Sequence, residues 1–214
     1  METLFQNNSG AILKIAKIHD HEYTYRKWSS INTTKRINPF YDNGTEDFSS
    51  YAGLLSTELR ELDYITEFGR EVAWCGEKNA MYTYTGKSHL CKGWYRYIWL
   101  MTTVVREFIH TAHPDKFFNH CLINHYSGTQ HLNRHRDNEP ELVGPIASLS
   151  YGASALFTYG NDSDGYNSIL LEHGDLLIGN RKFFNTMYHE VSKPTDGKNR
   201  YALTWRTVDT LFKY

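Results

Sequence analysis

Cysteine is scarce in this 214-residue chain: Cys75, Cys91 and Cys121 are odd in number and show no Cys-x-x-Cys spacing. That excludes a disulfide framework and a thiolate zinc knuckle, and predicts three reduced thiols in a reducing compartment. No apolar run is long enough to span a bilayer, and the opening METLFQNNSG lacks the basic start and apolar stretch of a secretion signal. The expectation is an intracellular protein of the cytoplasm or nucleus, without a membrane partner and not secreted. Charge of one sign is also missing, since 23 Lys+Arg against 24 Asp+Glu leave a net charge of −1. Neither a basic nucleic-acid coat nor an acidic tail fits, so any nucleic-acid contact has to be local. Gly-rich phosphate loops, Gly-x-Ser-x-Gly elbows and kinase signatures are absent too. What the chain has in excess is aromatic and imidazole side chains: 16 Tyr, 11 Phe, 5 Trp and 11 His.

The length fits one domain able to bury its own core. Residues 1–48 are rich in Asn, Ser and Thr with little periodicity, and read as a loosely structured extension. From Ser50, a candidate N-cap, Leu54, Leu55, Leu59, Leu62 and Ile65 recur at helical spacing to about Thr66. A second apolar stripe, Tyr97, Ile98, Met101, Val104, Val105, Phe108 and Ile109, predicts a helix that faces the core. From about Asn119 the pattern changes to short runs such as HCLINHY, HLNRH, IASLS, ALFTY, ILLE, LLIGN, MYHEV and RYALTWRTV. Helices first and strands later point to α+β layering, with the strands in a sandwich or jelly roll.

Residues two apart on a strand face the same way, so His-x-Asp is the spacing to test for metal ligation. Three such pairs occur: His113/Asp115, His135/Asp137 and His173/Asp175. Pro114 in the first and Gly174 in the third indicate turn chemistry. His135-Arg136-Asp137 follows a strand, and a third ligand must come from a distant one, with His189 in MYHEV the best placed. Two His and one carboxylate on one face leave open positions, as in non-haem Fe(II) oxygenases; a zinc hydrolase uses the same residue types.

In Arg200-Tyr-Ala-Leu-Thr-Trp-Arg206, period two sets Arg200, Ala202, Thr204 and Arg206 on one face and Tyr201, Leu203 and Trp205 on the other. The two arginines lie roughly 20 Å apart at ~3.3 Å per residue, a span that their long arms can narrow onto the ends of a small dicarboxylate.

Taken in order, these residues resemble the AlkB family of Fe(II)- and 2-oxoglutarate-dependent nucleic-acid dealkylases. The matching stretches are Asn124-His-Tyr126, His135-Arg-Asp137-Asn-Glu139, Pro145 to Gly152, His173-Gly-Asp175-Leu, Tyr188-His189 and Arg200-x-x-Leu203-Thr204-x-Arg206. Upstream, Arg70-x-x-Ala73-Trp74-x-Gly76 and Tyr82-Thr-Tyr84-Thr-Gly86 resemble the family's substrate lid.

The resemblance implies a double-stranded β-helix, a distorted jelly roll, with N-terminal helices packed on it. Residues 49–214 then form one catalytic domain, with helices and nucleotide-recognition lid over about 49–118 and the core over about 119–208. It implies Fe(II) on His135, Asp137 and His189, with 2-oxoglutarate and O2 as cosubstrates. Arg200 with Tyr126 would hold the distal carboxylate of 2-oxoglutarate, and Asn124 and Arg206 the end nearer the metal. Ala202 departs from the Asn usual there; a missing neutral hydrogen bond costs about 0.5 to 1.5 kcal/mol, which predicts weaker cosubstrate binding.

The implied activity is oxidative removal of N-methyl groups such as those of 1-methyladenine and 3-methylcytosine in DNA or RNA, by a monomer. A base in a duplex has to be flipped or already single-stranded to reach such a pocket. Tyr82, Tyr84 and Trp74 are the stacking candidates, Glu139 the carboxylate facing a cationic lesion, and Arg136 a phosphate contact. Lys87, Lys92 and Arg96, interleaved with Trp94, Tyr95 and Tyr97, form a basic and aromatic segment suited to a single strand. Two alternatives keep the fold: an oxygenase acting on a protein or small molecule, and a non-enzymatic nucleic-acid-binding jelly roll.

Overall fold

All eight strand-like runs after residue 119 do pair, and every pairing is antiparallel. The structure is a computed structural model, and it describes residues 1–17, 48–67, 69–78, 80–84, 86–110 and 118–209. In chain order the strands are β1 (Glu2–Gln6), β2 (Ile12–Lys17), β3 (Ile65–Glu67), β4 (Arg70–Gly76), β5 (Met81–Tyr84), β6 (Lys87–Leu90) and β7 (His120–Tyr126). They continue as β8 (Leu132–His135), β9 (Ile146–Gly152), β10 (Ala155–Asn161), β11 (Gly165–Leu171), β12 (Asp175–Gly179), β13 (Tyr188–Val191) and β14 (Arg200–Arg206). The helices are α1 (Phe48–Glu61), α2 (Arg96–His110) and the short α3 (Arg181–Thr186).

An eight-stranded sheet in the order β1-β2-β12-β9-β14-β7-β4-β3 faces a four-stranded sheet β11-β10-β13-β8, and β5-β6 forms a separate hairpin. The large sheet buries both faces. On one side Cys75, Ile123, Leu203 and Trp205 pack under Leu55 and Leu59 of α1 and Ile98, Met101 and Val105 of α2. On the other, Leu13, Ile146 and Leu177 meet Phe157, Tyr159 and Val191 of the small sheet and Phe183 and Phe184 of α3. The architecture is an α+β jelly roll. A buried bond from the Trp205 indole N–H to Thr102 Oγ1 (2.8 Å) ties the central strand to α2. The three cysteines are free and buried. Among the described residues no helix is long and apolar enough to cross a membrane.

Two boundaries differ from expectation. Within the segment read as a loose extension, β1 and β2 are ordered strands, and β2 pairs with β12 from Leu13↔Gly179 to Lys17↔Asp175. Backbone pairing and burial of Ala11 and Leu13 carry this strand, although Lys14 and Lys17 interrupt its apolar pattern. Residues 18–47 lie outside the described residues, as do His113 and Asp115. The first helix ends at Glu61 rather than Thr66. Ile65, 46% exposed, belongs instead to β3, because Ile65–Glu67 pairs with β4 across a turn at Gly69, whose φ is 77°.

Candidate active site

His135 ends β8 and His189 sits in β13, and the register pairs them directly. Asp137 lies two residues beyond His135, where its backbone N–H donates to the Phe184 carbonyl (3.1 Å). The three residues offer ligand atoms within 4.8 Å of one another. His135 Nε2 is 3.7 Å from Asp137 Oδ1, and His189 Nε2 is 3.9 Å from Asp137 Oδ2. His135 Nδ1 donates to the Asn133 carbonyl (2.8 Å), which leaves Nε2 with its lone pair toward the cluster.

Electrostatics fit a cation at this point. Burial, and then His135, push His189 down to about 3, so its imidazole is neutral and able to ligate. Burial alone raises the Asp137 carboxyl, but Arg206, His189 and His135 outweigh it and hold the group at about 2. Arg206 Nη2 approaches Asp137 Oδ2 at 3.4 Å.

The cavity beside the cluster is floored by the inward faces of β7 and β14 and includes Asn124, Tyr126, Arg200, Ala202, Thr204 and Arg206. The face assigned from period two is therefore the face that lines it, while Tyr201, Leu203 and Trp205 pack toward the helices. Arg200 is 1% exposed. Its Nη2 donates to Ser150 Oγ (3.0 Å), its Cζ lies 5.3 Å from the Tyr126 ring centroid, and Nε and Nη1 have no protein hydrogen-bond partner among the described residues. A buried guanidinium with two free N–H directions is a site for a carboxylate, and among the described residues Asp137 is the sole acidic one lining this cavity. A metal cation with a dicarboxylate fits the donors present.

Two residues of this site were not anticipated in these roles. Arg70 Nε donates to Asn124 Oδ1 (2.6 Å) from β4 and lines the cavity. Arg181 donates to the carbonyls of Asp137, Glu139 and Leu142 and so fastens the loop that carries Asp137. An arginine that acts on backbone carbonyls has no sequence signature.

The substrate candidates are distributed differently from expectation. Tyr82 is fully buried rather than presented as a stacking face; its hydroxyl turns to Glu139, and Arg206 Cζ lies 5.2 Å from its ring centroid. Glu139 is half-buried, its carboxyl raised by burial and then by Asp137. Trp74 is half-buried with the His89 ring stacked on it at 4.1 Å and 12°. Tyr84 lies in β5, and its side chain is outside the described residues. Arg136 is exposed and rests on Tyr188 at 4.6 Å, away from the cavity. The pair His173/Asp175 does serve a turn: Gly152 N–H donates to His173 Nδ1 (3.0 Å) and Glu172 N–H to Asp175 Oδ2 (2.8 Å).

Comparison with known proteins agrees with this geometry. The 2OG-Fe(II) oxygenase superfamily model matches residues 46–206, and the chain belongs to that superfamily, whose members use Fe(II), 2-oxoglutarate and O2. Within it the chain is AlkB-like. It is 40% identical over 97 residues to the alpha-ketoglutarate-dependent dioxygenase AlkB of Salmonella typhimurium, covering 40% of this chain and 44% of that protein. It is 32% identical over 154 residues to the human DNA oxidative demethylase ALKBH2, covering 65% of this chain and 56% of that one. The chain thus spans about half the length of these relatives. The solved structure of OsALKBH1 superposes with a TM-score of 0.50 at 20% identity, covering 96% of this chain and 99% of that one, and shares the fold.

Proposed function

We propose that this protein is an oxidative demethylase that removes N-methyl groups from DNA or RNA bases. The observation that carries the reading is the His135, Asp137 and His189 cluster opening onto a cavity that holds the buried Arg200. When bound, Fe(II) and 2-oxoglutarate supply, with O2, the oxidation that converts an N-methyl group to formaldehyde. The chain's own residues bind and orient. His135, Asp137 and His189 hold the metal; Arg200 and Tyr126 hold the distal carboxylate, and Asn124 and Arg206 the end nearer the metal. Ala202 contributes no hydrogen bond to that grip.

Glu139 faces the modified base, and the Tyr82 hydroxyl orients it. Its negative charge favours cationic 1-methyladenine or 3-methylcytosine over the neutral parent base. A base can stack on Trp74 only where His89 now lies, so substrate entry moves the β5-β6 hairpin. Tyr84 on that hairpin and Arg136 outside the cavity contact the flanking nucleotides. The names of the AlkB and ALKBH2 relatives support nucleic acid as the substrate class.

The test is mass spectrometry of a short single-stranded oligonucleotide carrying one 1-methyladenine, incubated with protein, Fe(II), 2-oxoglutarate and O2. Loss of one methyl mass with the wild type, absent for His135→Ala and without 2-oxoglutarate, is the expected result. Succinate formation with no mass change on DNA or RNA oligonucleotides would remove nucleic acid as the substrate.

A further inference from the structure

The two strands that carry the histidines of the cluster have a second face. Because side chains alternate, His135 and His189 turn inward while Arg134 and Tyr188 turn outward. There Arg134 Cζ lies 4.4 Å from the Tyr166 ring centroid and 4.6 Å from that of Tyr188, and Arg136 Cζ lies 4.6 Å from Tyr188. Tyr166, Arg134, Tyr188 and Arg136 form one alternating aromatic and cationic row on the small sheet. Both arginines are exposed, and Tyr166 is exposed at the tip of β11. We infer that this row is a docking track for single-stranded nucleic acid flanking the modified nucleotide, with its guanidiniums on phosphates and its tyrosine rings under bases.

Four observations support that occupant. Arginine's planar fork matches phosphate oxygens, and stacking on tyrosine holds it ready at low entropic cost. The carboxylate near Arg134 is Asp162 at 3.9 Å, on a side chain 94% exposed, a weak screened pair that a phosphate can replace. The chain as a whole carries a net charge of −1, so two adjacent cations here are a local concentration rather than part of a basic coat. The row also adjoins the cluster in sequence: His135 lies between Arg134 and Arg136, and Tyr188 precedes His189. The row and the cluster are thus carried on opposite faces of the same two strands, β8 and β13, with Arg136 one residue past the end of β8. Alternating rings favour a single strand, because paired bases of a duplex are not free to stack on them. By contrast, Lys87 in the basic segment expected for this task is paired with Glu67 at 3.1 Å.

The inference rests on nucleic acid being the substrate class, and its test separates the two. Anisotropy of a labelled, unmethylated single-stranded oligonucleotide is measured between roughly 50 and 200 mM salt for wild type, Arg134→Gln/Arg136→Gln and Arg134→Lys/Arg136→Lys. Each single-strand phosphate contact contributes about 0.7 to the slope of log affinity against log salt, so the Gln pair is expected to flatten it by about 1.4 while the Lys pair keeps it. Tyr188→Leu is expected to weaken binding with the slope unchanged, through lost stacking. Thermal unfolding is followed for each variant, and the single Arg134→Gln, expected to flatten the slope by about 0.7, carries the comparison if the Gln pair unfolds early. Wild-type binding with the Gln pair unchanged in affinity and slope would overturn the track and leave the demethylase reading standing. Equal losses on a duplex would overturn the single-strand assignment. No binding of any oligonucleotide by the wild type would overturn the substrate reading and the track with it.

Discussion

Arg200 and His120 stand fully buried in one molecule with opposite consequences. Arg200 keeps its charge in a dry cavity, where two unpartnered N–H directions suit a carboxylate. His120 avoids charge. Burial, then Arg206 and His89, depress its pKa well below the ordinary value, and neither ring nitrogen has a hydrogen-bond partner among the described residues. It lies between Trp74 (5.5 Å) and Tyr82 (5.2 Å), ring to ring. A base whose folded pKa is lowered costs stability once the unfolded chain takes up the proton that the folded chain refuses. The loss starts as pH falls through the unfolded value near 6.5 and grows by about 1.4 kcal/mol per pH unit until the folded pKa is reached. His120→Phe, which packs a ring in the same place without a proton site, is expected to lose less stability than wild type as pH falls from 7 to 5. Urea unfolding of the metal-free protein at both pH values checks this, and parallel pH dependences would contradict it.

At the scale of elements, β14 shows why so much of the cavity was legible. A seven-residue strand of strict period two, central in its sheet, has no freedom in which face each residue takes, so Arg200, Ala202, Thr204 and Arg206 had to share one. The stripe of α2 was equally plain, with Ile98, Met101, Val104, Val105 and Ile109 all buried. Several strands that precede α2 were not. β2, β3, β5 and β6 are short, and pairing partners distant in sequence decide their existence, as β12 does for β2. The turn to strand at Ile65 overrides a helical stripe for the same reason. Tyr82 misled because an aromatic beside a lid motif reads as a platform, whereas the register of the hairpin sends it into the core. α3 was invisible because six residues are too few to show a helical period, yet it presents Arg181 to three carbonyls of the loop around Asp137. Residues that hold a ligand in place typically cost 10–100-fold in metal affinity when removed. Arg181→Ala is expected to weaken Fe(II) or Mn(II) binding in that range, as read by titration calorimetry. Unchanged affinity would show that Phe184 and the rest of the loop hold Asp137 unaided.

For the molecule as a whole, the large sheet separates two tasks. One face packs on α1 and α2; the other closes against the small sheet around a cavity where Arg200, Tyr126 and the His135, Asp137 and His189 cluster converge. Superfamily membership and this convergence point to one chemistry, in which metal and dicarboxylate bind side by side. The most direct measurement is an anaerobic titration of the purified protein with Fe(II) and 2-oxoglutarate, followed by the weak visible absorption of their complex. The account predicts a band that saturates near one equivalent of iron, vanishes in Asp137→Ala, and in Arg200→Ala needs roughly 10-fold or more 2-oxoglutarate, for loss of a charge-assisted hydrogen bond of about 1.5–3 kcal/mol. A wild-type protein that binds Fe(II) but gives no band with 2-oxoglutarate, or an Arg200→Ala curve that overlays the wild type, would contradict it.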